Sequence, residues 1–217
     1  MLFRSFRDAM EGAIVHTSNL YRTSAGERLA ERLVALSFAD RVFFCNSGAE
    51  ANEGAFKLAR RWGRAQGGAA KHEILALRGG FHGRLFGTLA ATDRPQYRAP
   101  FRPLAGGISI AERDLDELDG ALNPETVTAV IAEPVQGEGG VRVLDAKFLQ
   151  DLRALTRERG VLLILDEIQC GYGRTGKLWA HEHANVMPDI MTVAKPMAGG
   201  LPMGGILATR EIGRAHV

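Results

Sequence analysis

The chain has 217 residues, of which 46% are hydrophobic and 24% charged; this is close to the globular average and excludes intrinsic disorder and a small disulfide scaffold. Its 27 basic and 25 acidic residues leave a net charge of +2, which gives no electrostatic footprint for nucleic acid or an anionic membrane. No apolar run nears the roughly 18 residues that cross a bilayer, no secretory signal pattern opens the chain, and only two cysteines occur, Cys45 and Cys170, so a reducing, cytoplasmic setting is expected.

In chain order, the first feature is an end effect. Met1–Ser5 and Glu211–Val217 can be encoded by DNA strings that are nearly reverse complements and that resemble a sequencing adapter. Residues 1–5 and 211–217 are therefore expected to be non-native, which leaves one domain over residues 6–210. Ala25–Phe38 carries Leu29, Leu33 and Leu36 at helical spacing, and Arg41–Cys45 is a short apolar strand. Asn46-Ser-Gly leads into a helix over Ala49–Gln66, closed by Gly67 and Gly68. A second strand is expected at Glu73–Leu77, then a glycine-rich loop over Arg78–Arg84, then a strand at Thr126–Ala132. Ala146–Arg159 is a helix, Val161–Leu165 is the most apolar strand, and Asp189–Ala194 and Gly205–Ala208 are two more. Strands alternating with helices indicate an α/β architecture with a largely parallel sheet.

In such sheets ligands bind beyond the carboxyl ends of the strands. Four polar groups stand there: Asn46–Glu50, Glu133–Glu138, Asp166–Gln169 and Lys195. The first is a small-residue turn opening a helix, suited either to a phosphate or to a plain N-cap. Asp166, ending a buried strand, needs a partner, with a capping role or an arginine ion pair as the alternative. Lys195 is one of only five lysines and sits between Ala194 and Pro196. Desolvated there, it would have a lowered pKa and could condense with a carbonyl; the alternative is a surface lysine.

Two decoys fail on chemistry. Leu162-Leu-Ile-Leu-Asp-Glu167 looks like a Walker B strand and Gly171–Lys177 half matches a P-loop, but Leu178 stands where a hydroxyl must reach magnesium. His181-Glu-His183 has neither metalloprotease nor Cys/His zinc spacing, so no metal is expected and the segment reads as exposed.

Together, a phosphate cradle, a carbonyl-reactive lysine and a carboxylate able to hold a pyridinium nitrogen are the three requirements of pyridoxal 5'-phosphate. Ser47-Gly-Ala-Glu-Ala-Asn52, Phe81-His-Gly-Arg84, Glu133-Pro-Val-Gln-Gly-Glu138, Asp166-Glu-Ile-Gln169, Gly173-Arg-Thr-Gly176 and Ala194-Lys195 form an ordered set that resembles the class III aminotransferases. His16–Tyr21, Tyr97–Phe101 and Asp189–Pro202 resemble the acetylornithine-type members.

The resemblance implies a fold type I large domain, a mostly parallel mixed sheet flanked by helices, incomplete here because the small C-terminal domain is missing. Lys195 would carry the cofactor and move the proton between Cα and C4′. Asp166 would pair with the ring nitrogen, Gln169 with the 3-oxygen, and Gly48 and Ala49 with the phosphate. Ile168 and Phe81 would enclose the ring, and Glu167 would join the cofactor set. Arg84 would meet the substrate, and Glu138 would pair with a switch arginine. Ala49 departs from the threonine of many members, although a backbone contact survives the change. The implied reaction passes an ω-amino group from N2-acetylornithine or a related donor to 2-oxoglutarate, in a homodimer of about twice this length. The 217-residue chain alone is expected to be inactive and unstable. Ornithine, 4-aminobutyrate or succinylornithine transamination, an aminomutase or epimerase reaction, and a non-catalytic module are the alternatives.

Overall fold

The structure, a computed structural model, describes residues 21–213 together with Arg7, Asp8 and Glu11. Residues 1–5 and 214–217 of the expected non-native ends, and 16–20 of the acetylornithine-type segment, lie outside the described residues.

Helix α1 is Ser24–Ala35, capped by the Thr23 hydroxyl, which accepts from the Gly26 N–H at 3.2 Å. It stops three residues before the expected Phe38, where the Ser37 hydroxyl accepts from the Ala39 N–H and offers the backbone a competing turn. The remaining main elements, in chain order, are β1 Arg41–Cys45, α2 Gly48–Gly67, β2 Glu73–Leu77, α3 Phe86–Ala91, α4 Pro95–Arg98, β3 Ile108–Ala111, α5 Leu115–Ala121, β4 Val127–Ala132, the two-residue strands β5 Val135–Gln136 and β6 Arg142–Val143, α6 Ala146–Glu158, β7 Leu162–Asp166, β8 Ile190–Val193, β9 Gly204–Ala208 and α7 Arg210–Gly213.

Seven strands form one mixed sheet in the order β1-β9-β8-β7-β4-β2-β3, while β5 and β6 pair as a separate hairpin. Strand β9 is antiparallel to β8 and β1, and the other four pairings are parallel. The expectation of a largely parallel α/β sheet holds.

The two-residue period sorts the side chains onto two faces. Ile74, Ala76, Ala129, Ile131, Leu162, Ile164 and Ile190 pack with Ala51, Ala55, Phe56 and Ala59 of α2. Their neighbours Leu75, Leu77, Val130, Ala132, Leu163 and Leu165 pack with Leu118 of α5 and Leu149 and Leu152 of α6. Each Leu or Ile so withdrawn from water contributes roughly 1.5–3 kcal/mol. Helix α2 lies so close to β4 that a Cβ on Gly63 would stand 2.3 Å from the Thr128 hydroxyl. Ile212 of α7, within the segment expected to be non-native, is buried in the same cluster as α2.

Strand β3 carries no periodic signal strong enough to read: it has only four residues, with Ile108 and Ile110 packed on the α2 side and Ala111 on the other. The same parity fixes the site. Residues 133, 166 and 192 continue the face that meets α2, and residue 167 points the other way.

Candidate active site

The cradle forms where β1 delivers the chain into α2. Ser47 caps the helix: its hydroxyl accepts from the Glu50 N–H at 3.2 Å and its carbonyl from the Ala51 N–H at 3.0 Å. The Asn46 N–H and side-chain amide both donate to Glu50 Oε2, at 2.8 and 3.0 Å. The Gly48 and Ala49 N–H groups thus stand ahead of the first intrahelical bond, at the positive end of a 20-residue helix. A Cβ at Gly48 would come within 2.8 Å of Ile168, so glycine permits this close approach of the cradle to β7's exit.

Asp166 is the best-anchored side chain of the site and ends β7 rather than following it. At 3% exposure, its Oδ2 accepts from Asn52 Nδ2 and faces His82 Nδ1, each at 2.8 Å, and its Oδ1 accepts from the Ile168 N–H at 3.1 Å. Neither alternative reading, helix cap or arginine pair, describes it. Asn52 is held in turn: Nδ2 also donates to the His82 carbonyl, and Oδ1 accepts from the Thr192 hydroxyl, both at 2.8 Å. Thr92 clamps the loop from behind, accepting from the His82 and Gly83 N–H groups at 2.9 and 3.2 Å and donating to the Gly83 carbonyl at 2.9 Å. Burial alone would lower the pKa of His82. The hydrogen bond and charge of Asp166, with the charge of Glu133, outweigh that and raise it above the usual imidazole value. His82, Asn52, Thr92 and Thr192 escape sequence reasoning as site residues. Three lie inside the quoted motifs, but a 2.8 Å bond across 114 residues leaves no local pattern.

These groups open onto a cavity of about 440 Å³ lined by Gly48, Ala49, Phe81, Arg84, Asp166, Ile168, Gln169 and Lys195, all of them sequence-expected site residues. Phe81 is braced edge-on by Tyr97, with ring centroids 6.3 Å apart. Leu201, Pro202 and Met203, ahead of β9, add an apolar wall.

Four expectations change. Lys195, read from sequence as desolvated, is exposed where it follows β8, with φ at +33° in a short 3₁₀ turn, Lys195–Ala198. Glu167 does not line the cavity. The strand alternation sends it to the opposite face, fully buried, where it accepts from the Ala180 N–H at 2.6 Å and the His181 N–H at 2.8 Å and meets His181 Nδ1 at 2.7 Å. His181, expected to be exposed, is consequently buried. Glu138 also stands off the cavity wall, but its Oε1 accepts from Gln169 Nε2 at 3.4 Å and so touches a wall residue.

Gly137 makes room for Gln169: a Cβ there would fall 1.5 Å from Gln169 Oε1. Because a flexible amide yields more easily than backbone, Gly137→Ala is expected to displace Gln169 while costing less than about 1 kcal/mol of stability. A ligand held by that amide should bind roughly tenfold more weakly, at about 1.4 kcal/mol per decade. Urea melts and equilibrium dialysis with pyridoxal phosphate check the two halves separately.

The profile of the family described as Aminotransferase class-III matches residues 7–217. An acetylornithine aminotransferase from Methanocaldococcus jannaschii is 46% identical over 203 residues, covering 93% of this chain and 51% of its own. A mitochondrial acetylornithine aminotransferase from Alnus glutinosa is 46% identical, covering 93% and 46%. The chain therefore spans about half the length of the relatives it matches. A solved ornithine aminotransferase from Toxoplasma gondii, described with partial occupancy of PLP at its active site, superposes with a TM-score of 0.87 at 30% identity, covering 93% of this chain and 48% of its own.

Proposed function

Because this chain belongs to the class III aminotransferase family, we propose that it forms the cofactor-binding part of a pyridoxal-phosphate-dependent enzyme of its relatives' length. The reaction we assign moves the ω-amino group of N2-acetylornithine, or a related donor, to 2-oxoglutarate, as in arginine biosynthesis. One observation carries this reading: the buried Asp166 carboxylate, the α2 N-terminus and Lys195 share the wall of one cavity.

The residues suit the group. Gly48 and Ala49 offer unspent N–H donors to a phosphate. Asp166, already ionically paired to His82, can hold a protonated ring nitrogen. Ile168 and Phe81 flank the space between, and Gln169 presents an amide to a phenolic oxygen. Bound there, the cofactor would supply the electron sink for the C–H bond broken at the substrate carbon that bears the transferred amino group. Lys195, exposed on the cavity wall, would move the proton to and from the carbon that bears the transferred amino group. Arg84, exposed on the cavity wall, is placed to receive a substrate carboxylate. Glu138, joined to Gln169, is placed to pair with a switch arginine elsewhere in the full-length protein.

We further assign a homodimer, in keeping with exposed Leu85, Phe86, Tyr97 and Phe101 on the segment from α3 to α4 and its exit. A cytoplasmic location accords with the two free cysteines, and among the described residues no helix is long and apolar enough to cross a membrane. The isolated 217-residue chain is assigned no turnover.

A donor panel on the full-length protein tests the reading. N2-Acetylornithine should exceed ornithine, 4-aminobutyrate and succinylornithine by at least about tenfold in kcat/KM. Preference for another donor would overturn the specificity, and absence of transfer from any donor would overturn the activity.

A further inference from the structure

Glu133 has no part in the reading above, yet it stands beside its central carboxylate. Ala132 of β4 pairs with Leu165 of β7, so Glu133 and Asp166 leave adjacent strands together on the α2 face. Glu133 is 5% exposed and lines the cavity, and its Oε1 accepts from the Phe81 N–H at 2.7 Å. The ionisable groups facing it are few. His82 on the loop after β2 and Asp166 on β7 share the buried patch, and Cys170, kept neutral by a thiol pKa that burial raises, lies near. Lys195 and Arg84 stand exposed on the cavity wall.

Two buried carboxyls thus face one buried cation, and that cation is already bonded to Asp166 at 2.8 Å. A second buried negative charge without a counter-ion is costly, and Glu133 finds the backbone N–H groups of Phe81 and Gly137 but no cation of its own among the described residues. We propose that Glu133 is a charge gate on ligand binding: as a neutral acid it admits anionic ligands to the cavity, and as a carboxylate it repels them. Burial is the main reason its acid is weak. The His82 charge opposes that, the Asp166 charge reinforces it, and the resulting pKa, pushed up to about 7, puts the gate's turning point near neutrality. The sign follows: the neutral form dominates below that value, so affinity for anions is full there and falls as pH rises through it.

The inference rests on the pyridoxal phosphate reading for its natural ligand, so the test uses two probes and one spectroscopic readout on the full-length protein. Infrared titration of the ligand-free protein should show a protonated-carboxyl band at about pH 6, lost by about pH 8.5 and absent from Glu133→Gln. Across that range the wild-type affinity for pyridoxal phosphate should fall about tenfold more than that of Glu133→Gln, which stays neutral. Equal pH dependence in the two proteins, or a band that Glu133→Gln leaves in place, would overturn the gate. If pyridoxal phosphate binds neither protein, the cofactor reading fails, and inorganic phosphate replaces it as the anion: a steeper pH dependence in the wild type supports the gate, and an equal one overturns it. If Glu133→Gln does not fold, the wild-type band decides: its absence at about pH 6, or its persistence to about pH 8.5, overturns the proposal.

Discussion

In the full-length protein, Asp166→Ala is expected to lose stability and chemistry together. The substitution strips the acceptor from Asn52 Nδ2, His82 Nδ1 and the Ile168 N–H, all in a buried setting. Removing one partner of a buried charged pair costs about 3–5 kcal/mol, and urea melts should show a loss of that size. Turnover should fall at least about a thousandfold, since the counter-charge for the ring nitrogen goes with it. Asp166→Asn separates the two effects. Its amide oxygen can still accept from a neighbour, so most of the stability should return, but no negative charge does, and turnover should stay low. A stability loss below about 1 kcal/mol in Asp166→Ala would contradict the anchoring described for this carboxylate.

Lys195→Ala in the full-length protein should lose the chemistry and keep the stability. The side chain is exposed, so its removal should change stability by no more than about 0.5 kcal/mol. Turnover should nevertheless drop by at least about four orders of magnitude, because no other lysine lines the cavity to carry the cofactor or the proton. The contrast is diagnostic. One residue supports the fold as well as the reaction, and the other belongs to the reaction alone. Comparable melting curves with near-wild-type turnover in Lys195→Ala would remove it from the chemistry.

Legibility in the sequence followed the range of the interactions. Strands β1 and β2 and helix α6 announce themselves through continuous apolar runs or a 3.6 period, and their limits fall within a residue of the structure. The cradle at Ser47–Ala49 and the acid at Asp166 were readable because both lie just past apolar runs, where α/β sheets place ligands. The surroundings of Asp166 were not. Asn52 and His82 reach it from a helix and a loop, and Thr192 on the neighbouring strand holds Asn52, with no pattern in any one stretch. Glu167 shows a subtler failure. Next to Asp166 in sequence it looks like part of the same site, yet one step along a strand turns it toward the opposite layer and into His181. The exposure of Lys195 was hidden for a third reason, since apolar neighbours such as Met191 and Val193 are buried while the lysine, at positive φ in its short turn, is not.

The central claim is that Lys195, among the five lysines, is the residue that joins pyridoxal phosphate. Borohydride reduction of the full-length protein with the cofactor, followed by peptide mass mapping, tests it most directly. A pyridoxyl-phosphate adduct on the peptide carrying Lys195 is the expected result. An adduct on Lys57, Lys71, Lys147 or Lys177 instead, or none at all, would contradict it.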